Sequence, residues 1–113
     1  MVLRLDGAFK ALGDLKRLRI LKLLEGKHLC VCELAFVLGV SQPAVSRHLK
    51  RLISAGFVDC EQDGYWTNYF LNPKSEYAKV LLVNLRGWLG DDEVVRADLV
   101  KVKKANRKKL CCK

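Results

Sequence analysis

Apolar residues fall at helical spacing in the first half of the chain, alternate briefly near the middle, and return to helical spacing toward the end. After Phe9 and Leu12, Gly13-Asp14 interrupts the pattern, and Asp14 is a side chain suited to capping. Leu15, Leu18, Ile20, Leu21, Leu23 and Leu24 then give a broad apolar face as far as Gly26, so a core helix is expected here. Leu34, Val37 and Leu38 make a second, shorter helix ending at Gly39, which can adopt a left-handed turn. Ser41 follows as an N-cap, with Pro43 tolerated in the first turn because its missing N–H would have no partner there. Val45, Leu49, Leu52 and Ile53 form the expected buried stripe of this third helix, which Gly56 closes.

Two helices joined through Leu38-Gly39-Val40-Ser41 read as a helix-turn-helix. Residues 57–62 and 65–71 are strand-like runs separated by Asp63-Gly64, a dipeptide suited to a tight hairpin, so a wing is expected directly after the reading helix. Asn72-Pro73 leads into a helix carrying Tyr77, Val80, Leu81, Val83, Leu85, Trp88 and Leu89, more apolar than a lone surface helix needs. Gly90 and Asp91-Asp92-Glu93 start a last helix whose far end is rich in Lys and Arg, the polarity that complements a helix dipole. The expected fold is mainly α with a small β-hairpin: one winged helix-turn-helix domain over residues 1–113, dimeric through helices at both ends. Its parts are dimerisation segments at 1–12 and 73–110, the helix-turn-helix at 29–56, the wing at 57–71 and a basic, cysteine-containing tail at 105–113.

Charge changes this picture only modestly. The formal net charge of +9 suggests a polyanionic partner, but residues 1–95 contribute +2 and residues 96–113 contribute +7. A basic tail alone proves no DNA binding. The DNA reading rests on the helix-turn-helix and wing, where Gln42, Ser46, Arg47 and His48 are expected to face base edges and Lys50 and Arg51 phosphates, with Ser41, Ala44 and Tyr65 completing the contact surface. No apolar run approaches a membrane span and the N-terminus lacks a signal-peptide series, so a cytoplasmic protein with no membrane partner is expected.

Five cysteines, in a compartment expected to be reducing, point toward metal binding or reactive thiols and away from a disulfide framework. Cys30 and Cys32 offer a soft ion two sulfurs from one stretch of backbone, at the start of the helix preceding the reader. Cys111 and Cys112 lie beside Lys108, Lys109 and Lys113, which favour thiolate. Cys60, near Val58 and Gln62 on a wing strand, is expected to pack.

With FKALGDLKRLRILKLL from Phe9, LCVCELA from Leu29, LGVSQPAVSRHLKRLISAGFV from Leu38 and the Asp-Gly wing, the sequence resembles the ArsR/SmtB family of metal- and metalloid-responsive repressors, and within it the arsenical branch. The resemblance covers roughly residues 8 to 71. It implies a homodimer that occupies a promoter without ligand and leaves it when an ion binds, with no cofactor required and arsenite or antimonite as the inducer. It also implies thiolate ligation by Cys30 and Cys32. Trivalent arsenic and antimony want a third sulfur, and the position that supplies it in the best-known pattern is Ala35 here. Cys111 and Cys112 are the candidates to replace it. An ion drawing these thiolates together would distort the first turn of their helix and, through the short turn, disfavour the DNA-competent shape.

Departures from the family pattern bound the alternatives. His28 stands where arsenical relatives commonly carry glutamate, opening a His-Cys-Cys cluster for zinc, against the simpler reading of an exposed histidine before a helix. Leu15 replaces a common proline, with Asp14 still available to cap. Zinc sensing through the last helices would need histidines there, and the two histidines are His28 and His48; cadmium and lead sensing would add cysteines before Cys30, and none occurs. A thiol-oxidation or persulfide sensor on the same scaffold remains a rival. A cysteine-dependent arsenate reductase would need a phosphate loop ending in arginine, but six residues beyond Cys30 and Cys32 lie Phe36 and Leu38, so no enzyme is expected.

Overall fold

Asp14, Ser41, Ser75 and Asp92 each begin a helix by accepting a backbone N–H from the residue three positions on, at 3.1, 3.2, 3.1 and 3.0 Å. Each such cap contributes about 1 kcal/mol. The computed structural model describes residues 2–106 and 109–110. In order the elements are α1 (Val2–Leu12), α2 (Leu15–Leu23), α3 (Val31–Leu38), α4 (Gln42–Ser54), β1 (Val58–Asp63), β2 (Trp66–Leu71), α5 (Glu76–Arg86) and α6 (Glu93–Val102).

The core lies where α2, α3 and α4 meet. Ile20, Leu21, Leu23 and Leu24, then Leu34 and Val37, then Val45, Leu49 and Leu52 are buried together with Phe57 and Val58. Removing one of the larger side chains here would cost about 2–5 kcal/mol. Two expected core residues face outward. Leu15 is 66% exposed in the first turn of α2, and Ile53 sits at the rim of the α4 stripe, where Val45, Leu49 and Leu52 already fill the inward face.

Gly39, at φ +69°, ends α3 and donates its N–H to Ala35 O at 2.9 Å, turning the chain into α4 within Gly39-Val40-Ser41. This is the helix-turn-helix. The hairpin follows in antiparallel register from Val58↔Leu71 to Asp63↔Trp66. Its turn is Gly64-Tyr65, one residue later than Asp63-Gly64, because Gly64 takes the first central position with φ +63° while Tyr65 keeps a negative φ. That arrangement belongs to a type II′ turn, which wants glycine first. Phe57 leaves the strand for the core, where it is fully buried. Cys60 is exposed, contrary to the packing expected of it, because β1 rises off the core after Val58.

Two buried charged groups tie the outer helices down. Lys22 Nζ on α2 donates to Leu85 O at 2.9 Å and pairs with Glu25 at 3.0 Å. A cation at these last carbonyls favours ending the helix here, and α5 stops at Arg86 with Gly87 as cap, leaving Trp88 and Leu89 beyond it. Arg19 grips Asp98 of α6 with two parallel bonds at 2.8 and 2.9 Å, raising the arginine's pKa above its ordinary value. No helix among the described residues is long and apolar enough to cross a membrane.

Candidate nucleic-acid interface and thiol site

Exposure divides the faces of α4. Val45, Leu49 and Leu52 point into the core, which leaves Ser41, Gln42, Ser46, Arg47, Lys50 and Arg51 exposed and Ala44 half-buried. No acid lies between Ser41 and Ser54, so the charged residues of this face, Arg47, Lys50 and Arg51, are all cationic. Ser46, Arg47, Lys50 and Ile53 share a cleft of about 220 Å³ with Tyr69 of the wing. Tyr65, at the hairpin tip, is 80% exposed. The α4 residues expected to read DNA thus share one exposed face, with His48 as the exception, and Tyr65 stands apart from them at the hairpin tip.

His48 is half-buried and turned toward α2, where its Nδ1 lies 3.2 Å from Arg17 Nη1. Burial is the largest influence holding the imidazole below its usual pKa; Asp14 opposes it, and Arg17, Lys16 and Arg47 reinforce it. Arg17 also donates from Nε to Ala11 O at 2.6 Å and from Nη2 to Lys10 O at 3.2 Å. One guanidinium therefore joins the C-terminal end of α1 to the reading helix.

The thiol site begins at the other end of the motif. Cys30 is the N-cap of α3 and only 3% exposed; its N–H donates to Glu33 Oε1 at 3.0 Å. Cys32 lies in the first turn of α3. Cys32 is held in a disulfide, whereas Cys60 is a free, exposed thiol. Just ahead of Cys30, Leu29 exchanges both backbone hydrogen bonds with Tyr69 of β2. His28 is exposed ahead of α3, as the simpler reading of that residue had it, and it stacks on Phe70 with ring centroids 4.7 Å apart. No group of three His, Cys, Asp or Glu side chains able to hold an ion occurs among the described residues. Cys111 and Cys112, the expected further donors, lie outside the described residues.

Sequence reasoning missed Arg17, Arg19–Asp98, Lys22 and the Leu29–Tyr69 bridge. Nothing in the local pattern separates Arg17 from Lys16 or Lys22 from a solvated lysine, because the partners that set them apart, His48 and Leu85, lie 31 and 63 residues away.

Residues 14–59, spanning the first core helix, the helix-turn-helix and the start of the wing, match the family of bacterial regulatory proteins named arsR. The arsenic resistance transcriptional regulator ArsR2 of Pseudomonas putida is 41% identical over 90 residues, which cover 74% of this chain and 78% of that protein. The chain belongs to the ArsR family. As a member, it is a DNA-binding transcriptional regulator and not an enzyme. The arsenical resistance operon repressor of Escherichia coli is 38% identical over 90 residues, covering 79% of this chain and 76% of that one. Among solved structures, a homodimeric winged helix-turn-helix DNA-binding domain from Mycobacterium bovis, described as a possible ArsR-family regulator, superposes with a TM-score of 0.66. It is 25% identical and covers 81% of this chain and 82% of that one. The winged helix-turn-helix architecture expected from the sequence is the one the ArsR-family chain adopts.

Proposed function

We propose that this ArsR-family protein is a homodimeric repressor that leaves its operator when Cys30 and Cys32 capture trivalent arsenic or antimony. The observation that carries this reading is the placement of the pair: Cys30 caps α3 and Cys32 sits in its first turn, directly ahead of the reading helix. Thiolates select such soft ions, and a helix N-terminus favours thiolate. Relatives named for arsenical resistance in two bacteria support the choice of ion. Cys111 and Cys112 supply the third sulfur in this reading, since Ala35 cannot.

The reader is the exposed face of α4, Ser41, Gln42, Ala44, Ser46, Arg47, Lys50 and Arg51, with His48 at its inner edge and Tyr65 at the wing tip. Dimerisation uses the apolar groove of about 480 Å³ lined by Phe9 and Leu12, Leu18, Leu81 and Leu82, and Trp88, where α1, α2 and α5 converge. An apolar groove flanked by the exposed side chains of Phe9 and Trp88 suits an association site, and the homodimeric neighbour supports a second copy as its occupant. The ion needs only to bind the DNA-free shape better than the DNA-bound one.

A second reading, release by thiol oxidation, is favoured by one observation: Cys32 is already engaged in a disulfide. A fragment of the protein's own promoter separates the two. Fully reduced protein should bind it and be released by arsenite, whereas Cys30→Ser with Cys32→Ser should stay bound in arsenite. Release by peroxide and not by arsenite would replace the metalloid reading with the oxidative one.

A further inference from the structure

Three donors on the Arg17 side chain are each committed. Nε reaches Ala11 O at 2.6 Å, Nη2 reaches Lys10 O at 3.2 Å, and Nη1 meets His48 Nδ1 at 3.2 Å. The side chain is only 12% exposed and Asp14 Oδ2 stands 3.9 Å from Nη1, so the guanidinium is held on several sides at once. Arginine carries N–H donors, no acceptor, and stays protonated. His48 Nδ1 must therefore accept. In a neutral imidazole that places the single ring proton on Nε2, across the ring from Arg17.

We propose that Arg17 is a positioning residue of operator recognition, fixing His48 as the neutral Nε2–H tautomer so that it offers the DNA a hydrogen-bond donor at the inner edge of the reading face. The inference rests on α4 being the reader. Acceptors of matching chemistry are abundant on the operator, in guanine N7 and O6, thymine O4 and the phosphate oxygens. Protonating His48 would put an N–H on Nδ1, facing the N–H of Arg17, and bring two cations to 3.2 Å. The groups around the ring oppose that change on balance: Arg17 and Lys16 from α2 and Arg47 from α4 are cationic, and Asp14 is the one carboxylate among the charged groups acting on it. The same guanidinium holds the last carbonyls of α1, so α1 and the orientation of a side chain on the reader share one connector.

The test uses the full-length reduced dimer and a fragment of its own promoter. Nitrogen-15 NMR of the free protein should show His48 with its proton on Nε2, and Arg17→Met should shift the ring toward mixed tautomers and raise its titration midpoint. Arg17→Met should weaken promoter binding about tenfold, the scale of one good base contact. His48→Gln, which retains a neutral amide donor, should bind within about threefold of native, and His48→Phe should lose about as much as Arg17→Met. Arg17→Met should cost little more once His48 is Phe, since both act through one contact. If Arg17→Met unfolds the protein, the native tautomer together with the His48→Gln and His48→Phe affinities decides. An Nδ1–H tautomer, or equal promoter affinity of His48→Phe and native, overturns the proposal while leaving the repressor reading intact. Native protein that ignores its promoter overturns the repressor reading itself, and the DNA role of His48 with it.

Discussion

Leu29 and Tyr69 exchange both of their backbone hydrogen bonds, Leu29 donating at 3.1 Å and Tyr69 at 2.8 Å, so the residue before the buried thiol of Cys30 is stitched to the wing. An ion that displaces Cys30 consequently pulls on β2 as well as on α3. We expect the amides of Leu29 and Tyr69 to be protected from hydrogen exchange in the free protein and to lose protection together when arsenite is added. Loss at one amide alone would break the proposed link between thiol site and wing.

The Arg19–Asp98 pair holds α6 against α2, with the Asp98 side chain 7% exposed. Removing one member strands the other in a largely dry site, so Asp98→Ala should destabilise the protein by about 3 kcal/mol in urea unfolding at fixed protein concentration. Replacing both residues by apolar ones of similar size should recover much of that loss. A double replacement no better than Asp98→Ala would mean that the pair acts through more than its mutual compensation.

Phe9, 56% exposed on α1, and Trp88, 55% exposed after α5, flank the apolar groove assigned to dimerisation. Phe9→Asp should leave the helical content of the chain unchanged and convert a two-chain species to a one-chain species in sedimentation equilibrium. A native chain that sediments as a monomer would remove the dimer from the account.

His48 supplies a pH dependence with a definite sign. Burial foremost holds its folded-state pKa below the ordinary 6.5, so the unfolded chain binds the proton more readily. Its contribution to stability is complete above the unfolded value and declines as pH falls from there through the folded value. Denaturation midpoints measured from pH 8 down to pH 5 should fall for native protein and fall less steeply for His48→Gln. Parallel curves would show that another group governs this window.

The parts of the fold written in local pattern were legible in the sequence. The caps at Asp14 and Ser41, the glycine turn at Gly39, the apolar stripe of α4 and the hairpin each depend on residues a few positions apart, and periodicity reports them. The hairpin turn lies one residue later than Asp-Gly suggests because Gly64, with φ +63°, takes the first central position and Asp63 pairs with Trp66. Leu15 and Ile53 misled because hydrophobicity states a preference for burial, while neighbouring helices decide which face is covered. Lys22 illustrates the rest: as a lysine in a helix it reads as solvated, yet it caps a helix that lies sixty-three residues further along the chain.

The candidate site divides in the same way. The spacing of Cys30 and Cys32 and the exposed composition of α4 were visible directly, whereas the inward turn of His48 required knowing that Arg17 stands opposite it. Cys60 was misjudged because strand alternation does not tell where a wing leaves the core.

The most direct test of the central claim is the sulfur coordination of arsenic bound to the fully reduced protein, read by X-ray absorption for native and for Cys30→Ser with Cys32→Ser. Three arsenic–sulfur bonds are expected in native protein and no retained arsenic in the double variant. Arsenic held with unchanged sulfur coordination after both cysteines are replaced would contradict that claim.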